Sequence, residues 1–208
     1  LPSRDKLTFS NGFYAYCSAL FVDIRGSSDL PGKYKRPTLA RMYRAYISEL
    51  VAVMNGDPDC VEVNIVGDGV WCVVNTPSKD DIDRVFQTAY TANSMVKVLN
   101  YELKRKGLTP ISIGLGMEYG RALMIKAGHA TSGINDVVYM GDVVNRAAKL
   151  AAAGNQAYSD GALMVGDVFQ QNLNDDNKAL LKRHPSRGCW HGDVINTAME
   201  EWYKENCS

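Results

Sequence analysis

The sequence predicts a single α/β domain, an α+β sandwich in which helices pack on one sheet. Runs of branched and aromatic residues, typical of strands, alternate along the chain with apolar stripes at helical spacing. These segments follow the order strand, helix, hairpin, helix, strand, which is a βαββαβ unit. With 208 residues, 46% of them hydrophobic, and seven prolines, the chain has material for one core. We expect one domain over residues 1–208, with additional C-terminal strands and helices.

The first predicted elements are a central strand and a long helix. Residues 14–24 are apolar and rich in aromatic and branched side chains, and they stop at the polar stretch Arg25-Gly26-Ser27-Ser28. This pattern indicates a strand followed by a loop. From position 39 to position 54, apolar residues recur at helical spacing and form one stripe, which predicts an amphipathic helix.

A β-hairpin and a second helix are predicted next. Cys60–Val66 and residues 70–74 are strand-like runs on either side of Gly67-Asp68-Gly69. Because Asp and Gly tolerate the positive φ angles of a tight turn, this pattern indicates a hairpin. Ser78 is a suitable N-cap for the apolar stripe that follows, and Gly107 is a suitable end for that helix.

The remaining predicted elements are shorter. Residues 111–117 and 122–125 resemble two strands, and Asp142 is a suitable cap for a helix that runs to about Ala153. Short strand-like and helical pieces lead from there to a charged C-terminal end. The sequence contains no repeat, linker or low-complexity tract.

Charge and cysteine content argue against several function classes. Lys plus Arg and Asp plus Glu both number 23, so no basic excess is available to neutralise a nucleic-acid backbone. The five cysteines form no C-x-x-C pair, which argues against a disulfide framework or a zinc site and favours a reducing compartment. No apolar run approaches the length of a transmembrane helix. We expect a cytoplasmic protein with no nucleic-acid partner and no membrane anchor.

Two aspartates are candidates for catalytic chemistry. Asp23 lies where the first strand meets the glycine-serine loop, and Asp68 lies at the tip of the hairpin. An aspartate at either place often does no more than hydrogen-bond its own turn. If the first strand and the hairpin are neighbours in one sheet, however, the two carboxylates converge, as two-metal phosphoryl chemistry requires for ions about 3.5–4 Å apart. Magnesium needs few protein carboxylates when phosphate and water supply its other ligands.

Four segments, in order, resemble the class III adenylyl and guanylyl cyclases. FVDIRGSS at residues 21–28 and VGDG at residues 66–69 are similar to the two metal-binding motifs of that family. ISIGLGMEYG at residues 111–120 resembles its glycine-punctuated strand, and GDVVNRAAKL at residues 141–150 resembles its catalytic helix. Diguanylate cyclases also pair two aspartates, but their Gly-Gly-Asp/Glu-Glu-Phe motif is absent from this sequence. The resemblance implies a class III cyclase-like βαββαβ core.

The resemblance implies a role for each residue of the first two motifs. The side chains of Asp23 and Asp68 and the backbone carbonyl of Ile24 would bind two divalent metal ions, Mg²⁺ or Mn²⁺. These ions would activate the ribose 3′-hydroxyl of a nucleoside triphosphate and hold its phosphates, so that the products are a 3′,5′-cyclic nucleotide and pyrophosphate. Backbone amides of the next turn would cradle phosphate oxygens. This turn comprises Gly26, Ser27 and Ser28.

Asn145 and Lys149 are the catalytic candidates of the third helix. They are four residues apart and project from one face, which is also the pattern of any solvated helical face. The resemblance gives Asn145 the position that orients the ribose, and Lys149 the position of an arginine that stabilises the transition-state phosphate. Lysine keeps the charge but loses the planar fork of arginine. A non-catalytic, nucleotide-binding pseudo-cyclase therefore stays an alternative.

The family also places a triphosphate-binding lysine near the C-terminal strands. The segment Trp190-His191-Gly192-Asp193-Val194 aligns with that region, so that His191 would replace the lysine. Four other basic residues are rival donors, although ordinary surface charge explains each of them. They are Lys178, Lys182, Arg183 and Arg187.

Base recognition departs from the purine cyclases of the family. Those enzymes have Lys or Glu three positions before the glycine of the second metal motif, where this chain has Asn64. The position of the partner acid falls on Val138. The missing purine code and the C-terminal sequence resemble the pyrimidine cyclases of the bacterial Pycsar antiphage system. That resemblance implies conversion of UTP or CTP to a cyclic nucleotide, which activates a separate effector protein.

The residues themselves do not choose between the two pyrimidines. The amide of Asn64 has a donor and an acceptor, so it serves uracil or cytosine by turning over. Tyr46 either narrows the base pocket or lies in the core, because it belongs to the apolar stripe of the first helix. UTP is preferred on the family resemblance alone, with cytidylate cyclase and then adenylyl cyclase as alternatives. The family also implies a head-to-tail homodimer with two equivalent sites at the interface.

Overall fold

The computed structural model describes residues 1–129 and 135–207. The strands, numbered along the chain, are β1 (Gly12–Ile24), β2 (Cys60–Val66), β3 (Gly69–Val74), β4 (Ile113–Gly128), β5 (Asn135–Met140), β6 (Leu163–Val165), β7 (Lys182–Arg183) and β8 (Trp190–Gly192). The helices are α1 (Leu30–Lys33), α2 (Arg36–Asn55), α3 (Lys79–Arg105), α4 (Asp142–Ala153), α5 (Asp167–Asn172), α6 (Asp175–Ala179) and α7 (Thr197–Asn206). Within these described ranges, no helix combines the length and the hydropathy that a bilayer crossing requires.

The strands form one mixed sheet. Its order is β2-β3-β1-β4-β6-β8-β7, and β5 pairs with β4 outside this path. The long apolar strand β1 is central, because it pairs antiparallel with β3 on one side and with β4 on the other. β4 and β6 run parallel. This α+β architecture confirms the predicted fold class, including the additional strands and helices at the C-terminal end.

Different helices cover the two faces of the sheet. Leu20 and Val22 of β1 point into the main core, to which α2 and α3 also contribute. Alternate residues such as Phe21 point to the opposite face, where α4 packs. The helix lies close to the sheet because glycines of β4 lie beneath it, and a Cβ on Gly116 would be 2.1 Å from the carbonyl oxygen of Ala147. We call this side of the sheet the α4 face.

The strand pattern between residues 111 and 140 differs from the sequence prediction. The two strands expected at residues 111–117 and 122–125 are one continuous strand, β4. Its polar middle stays in the sheet because Glu118 has a partner: the carboxylate lies 2.9 Å from Nε of Arg146 on α4. No sequence pattern indicates β5, which extends the sheet beside β4.

The start of α4 also differs from the prediction. Gly141 is the N-cap, with a φ of 136° that favours glycine, and Asp142 is the first helical residue. No side-chain hydrogen bond caps this helix. Asp142 therefore lies in the first turn, where its negative charge is favourable to the helix dipole. In contrast, Ser78 caps α3 as predicted and accepts a hydrogen bond from the Asp81 amide.

Candidate active site

Asp23 and Asp68 converge at one end of the central strands. Asp23 is the second-last residue of β1, and Asp68 occupies the turn between β2 and β3, where Gly67 has a φ of 64°. Because β3 pairs directly with β1, with Val22 opposite Val70, the hairpin turn lies beside the end of β1. Burial, together with the nearby charge of Asp68, raises the pKa of Asp23. The convergence expected from the sequence is therefore present in the fold.

The carboxylate pair has the character of a cation site. Oδ2 of Asp68 is buried and has no hydrogen-bond partner among the described residues, which is costly unless a ligand compensates it. Arg25 donates to Oδ2 of Asp23 at 2.6 Å and to the carbonyl oxygen of Ala152 at 2.6 Å. No group of three or more His, Cys, Asp or Glu side chains able to hold a metal occurs in the described ranges. Two carboxylates alone fit hard divalent ions whose other ligands are phosphate and water oxygens.

The turn after Asp23 presents backbone amides. Gly26 has a φ of 63°, a left-handed conformation that glycine adopts without strain. A single 3₁₀ turn, Ser27–Asp29, follows, and the first amides of a helical turn have no partner within the helix. Ile24 buries its side chain in the main core, which leaves only its backbone for the site. The predicted phosphate-binding residues Gly26, Ser27 and Ser28 thus form a tight turn directly after the Asp23 strand.

Two tyrosines of α2 approach the same region. The Tyr43 hydroxyl donates to the carbonyl oxygen of Ser27 at 3.5 Å, so it ties the turn to α2. Tyr46 is 1% exposed, and its hydroxyl has no described hydrogen-bond partner. Burial, together with the charges of Asp23 and Asp68, raises the pKa of Tyr46. The buried position of Tyr46 favours a role in the core, as its place in the apolar stripe of α2 indicates. Tyr43 lies three residues earlier on that stripe, and no sequence motif marks it as a site residue.

Asn145 and Lys149 lie on the outer side of α4. The inner side of the helix packs Val143 and Ala147 into the cluster on the α4 face. Asn145 and Lys149 are both exposed, and neither side chain has a hydrogen bond or ion pair with a described residue. The helix therefore presents this amide and this cation to solvent, one turn apart.

Asn64 lies on the same face of the sheet as Asp23. Asn64 is opposite Trp71, and Trp71 is opposite Phe21, with the two rings stacked 4.8 Å apart. Directly opposed side chains of antiparallel strands share a face. Phe21 is two residues before Asp23 in β1, so strand alternation puts Asp23 on this face too. The proposed base reader and Asp23 therefore share the α4 face.

The structure does not bring Val138 to Asn64. Val137 and Tyr139 pack in the cluster on the α4 face, so Val138 between them points to the other face. Burial, followed by the charge of Glu62, raises the pKa of Tyr139 to about 12. Burial raises the pKa of Glu62, whereas Arg4 and the neighbouring Asn64 side chain act in the opposite direction. None of the sequence motifs includes Glu62, although the two-residue period of β2 puts it on the face of Asn64.

The basic residues that are candidates for binding the triphosphate near the C-terminal strands lie in different environments. Nδ1 of His191 accepts a hydrogen bond from the Gly161 amide at 3.0 Å. Burial, together with His184, whose ring centroid is 4.8 Å away, lowers the pKa of His191. Lys182 lies opposite His191 in the β7–β8 register and has no ion-pair partner among the described residues. The other rival donors already lie against carboxylates; they are Lys178, Arg183 and Arg187.

Comparison with known proteins places the chain in a family. Residues 11–183 match the family described as Adenylate and Guanylate cyclase catalytic domain. A uridylate cyclase of Gulbenkiania mobilis is 39% identical, covering 99% of this chain and 87% of that protein. A uridylate cyclase of Treponema porcinum is 34% identical, covering 97% of this chain and 72% of that protein. The crystal structure of the adenylyl cyclase CyaB from P. aeruginosa superimposes with a TM-score of 0.72 at 20% identity, over 86% of this chain and 93% of that one. The chain belongs to the class III nucleotidyl cyclases, the family of adenylate and guanylate cyclase catalytic domains.

Proposed function

We propose that this cyclase converts UTP to 3′,5′-cyclic UMP and pyrophosphate. The observation that carries the cyclase chemistry is the carboxylate pair at the end of β1, in which the buried Oδ2 of Asp68 has no partner among the described residues. The choice of UTP is supported by the two relatives named uridylate cyclase. The neutral amide of Asn64, at the position where purine enzymes carry a charged side chain, is consistent with that choice.

The carboxylate pair is proposed to hold two divalent ions, Mg²⁺ or Mn²⁺. The ligands would be Asp23, Asp68 and the backbone carbonyl of Ile24. When bound, such ions favour deprotonation of a coordinated hydroxyl and neutralise phosphate charge. Arg25, 2.6 Å from Asp23, offsets part of the negative charge that the two carboxylates bring together. Phosphate oxygens would be bound by the backbone amides of Gly26, Ser27 and Ser28.

The remaining residues orient one displacement at the α-phosphorus. The ribose O3′ forms a bond to that phosphorus, the bond to the oxygen that bridges to the β-phosphate breaks, and the hydroxyl proton passes to solvent. Asn145 orients the ribose so that O3′ faces the phosphorus. Lys149 places a positive charge where negative charge develops in the transition state.

The active unit is proposed to be a head-to-tail homodimer. Asn145 and Lys149 are exposed and have no partner among the described residues, as expected for side chains that complete a site in a second copy. Two-fold symmetry would make both sites identical, each with the carboxylates of one copy and the helix residues of the other. The cyclic nucleotide would then act on a separate effector protein, as in the antiphage systems whose pyrimidine cyclases this sequence resembles.

An assay with each of the four ribonucleoside triphosphates distinguishes this proposal from its alternatives. Purified protein is incubated with Mn²⁺ and each triphosphate in turn, and the products are identified by mass. Cyclic UMP from UTP supports the proposal, whereas cyclic CMP as the main product would change only the substrate. Binding of triphosphate without any cyclic product would identify a pseudo-cyclase, and cyclic AMP as the main product would identify a purine enzyme.

A further inference from the structure

Arg146 is the polar side chain by which α4 contacts the rest of the described chain, and the proposed reaction gives it no role. The helix has four polar or charged residues, which are Asp142, Asn145, Arg146 and Lys149. Of these, only Arg146 has a hydrogen-bond or ion-pair partner among the described residues. It lies directly after Asn145 and three positions before Lys149. The contacts of Arg146 therefore bear on how the two proposed catalytic side chains are placed.

The Arg146 guanidinium joins α4 to three other parts of the fold. Its Nε lies 2.9 Å from Oε2 of Glu118 on β4. Its Nη2 donates to the carbonyl oxygen of Gly188, before β8, at 3.4 Å and lies 3.8 Å from Oδ2 of Asp167 in the first turn of α5. The Glu118 side chain is 5% exposed, whereas the Asp167 side chain is 36% exposed, so water screens the second ion pair more than the first. The contact with Glu118 is therefore the main one.

The Glu118 carboxylate is also held by groups outside α4. Oε1 of Glu118 accepts hydrogen bonds from the Tyr119 amide at 3.1 Å and the Phe169 amide at 3.3 Å. Gly166 leaves space for the carboxylate, because a Cβ at that position would lie 1.9 Å from Oε2 of Glu118. Burial raises the pKa of Glu118, whereas the two amides and Arg146 act in the opposite direction. The carboxylate is thus a fixed point to which Arg146 ties the helix.

The packing beneath α4 specifies the rotation of the helix only weakly. Ala147 and Ala151 lie over Gly114 and Gly116, where an added Cβ would be 2.1–2.2 Å from backbone atoms of the helix. This arrangement brings the helix close to the strand, but methyl groups over glycines provide no large interlocking side chains. A displacement of about 1 Å at catalytic groups costs on the order of 100-fold in rate. A directional anchor on this helix therefore has a catalytic consequence.

We propose that Arg146 is a positioning residue whose ion pair with Glu118 sets the rotation of α4, and thereby the direction in which Asn145 and Lys149 project. This inference rests on the proposed function, in which those two side chains complete a site in a second copy. In this role neither Arg146 nor Glu118 touches the substrate. Metals and amides of the other copy bind the triphosphate in the ground state, so loss of the anchor lowers kcat without raising KM.

Arg146→Met tests this role, because methionine keeps an unbranched apolar side chain and removes the charge and every donor. For UTP turnover we expect kcat to fall by at least about tenfold, with KM changed by no more than about twofold. Arg146→Lys keeps the charge and should restore part of the loss. Arg84→Met is the matched control, since Arg84 also contacts two carboxylates, those of Asp59 and Asp81, but belongs to α3; kcat should equal that of the wild type.

A double variant separates positioning from stability. Arg146→Met leaves the Glu118 charge buried without its cation, which destabilises the fold. Adding Glu118→Gln removes that charge, while the glutamine keeps an acceptor for the two backbone amides. The double variant should therefore melt at a higher temperature than Arg146→Met, but its kcat should stay low. Recovery of kcat together with stability, or a normal kcat in folded Arg146→Met, would overturn the inference.

Mixed dimers show whether the effect belongs to the copy that supplies α4. When Asp23→Ala and Lys149→Ala chains are mixed, the working site takes α4 from the Asp23→Ala chain and its carboxylates from the other chain. Adding Arg146→Met to the Asp23→Ala chain should lower the restored activity by about tenfold. Adding it to the Lys149→Ala chain should leave that activity unchanged, and equal losses in the two arrangements would overturn the inference.

Failure of the proposed function gives a different result from failure of the positioning role. If the unmodified pair of chains restores no activity, the shared site is refuted, and the kcat values of Arg146→Met and of the double variant still decide the role of Arg146. A wild type that cyclises no triphosphate would refute the proposed function and this role together. An active wild type with an equally active Arg146→Met variant would refute the positioning role alone.

Discussion

Among single residues, Asp23 and Asp68 have the most direct part in the proposed chemistry. Replacing either with Ala removes a metal-binding carboxylate, so we expect cyclic nucleotide formation to fall by at least about 100-fold. The fold should persist, because Oδ2 of Asp68 has no described partner to lose and Asp23 is partly exposed. Product is measured by mass and folding by thermal melting. Near-normal turnover in either folded variant would refute the two-metal assignment.

Asp160 is a buried carboxylate that two basic side chains contact. Its side chain is 1% exposed and lies 2.8 Å from both His184 Nε2 and Arg187 Nη2. Burial alone would raise the pKa of Asp160, but the hydrogen bonds from Arg187 and His184 outweigh it and lower the pKa to about 2. This cluster fastens the segment between α4 and β6 to the C-terminal strands.

The lowered pKa of Asp160 predicts a pH-dependent stability. Because the folded pKa is below the ordinary value of 3.8, the charged carboxylate stabilises the fold by about 2 kcal/mol above pH ~5, and this contribution is lost as the pH falls toward 2. Denaturant unfolding of wild type and Asp160→Asn between pH 2 and 6 measures the effect. The difference in unfolding free energy should shrink with acidification; a constant difference would contradict the assignment.

Local sequence patterns predict some site residues and miss others for a physical reason. Asp23 and Asp68 can be located because each stands at a strand end or a turn, which the sequence marks. The partners of Arg25 and Glu62 come from distant positions, Ala152 and Arg4 respectively. No local pattern encodes such contacts, so these two residues become visible only in the fold.

At the scale of elements, long periodic segments are predicted well and short ones are not. The apolar stripes identify α2 and α3, and the Gly67-Asp68-Gly69 turn identifies the β2–β3 hairpin. β4 looks interrupted in sequence because Glu118 is charged, whereas in the fold Arg146 of α4 compensates this charge. β5 is six residues long and is held by pairing with β4, which its own sequence does not show.

The close approach of α4 to β4 predicts that Gly116 tolerates no side chain. A Cβ there would lie 2.1 Å from the Ala147 carbonyl oxygen and 2.2 Å from the Ala151 amide nitrogen, so the helix would have to move. We expect Gly116→Ala to lower the unfolding free energy by about 1–3 kcal/mol. Gly120→Ala on the same strand is the control, since its Cβ would meet Val143 at an ordinary 3.5 Å. Equal stability of the two variants would contradict the described packing.

At the scale of the whole molecule, the proposed dimer predicts complementation. Asp23→Ala and Lys149→Ala chains should each be inactive alone, but a heterodimer would contain one site with intact carboxylates and an intact α4. Mixing them under conditions that allow subunit exchange should therefore restore activity, up to about one quarter of the wild-type value for random pairing in equal amounts. A fully active monomer, judged by size-exclusion chromatography at assay concentration, would refute the shared site.

The substrate of the whole enzyme is tested most directly by competition. UTP, CTP, ATP and GTP are supplied together at equal concentration with Mn²⁺, and every cyclic nucleotide formed is quantified by mass, with Asp68→Ala as the inactive reference. Discrimination among substrates follows their kcat/KM values, so the product mixture reports base selection at the site itself. The proposed mechanism predicts that cyclic UMP dominates in the wild type and is absent from the variant; a mixture dominated by cyclic AMP or cyclic GMP, or containing no cyclic nucleotide, would contradict it.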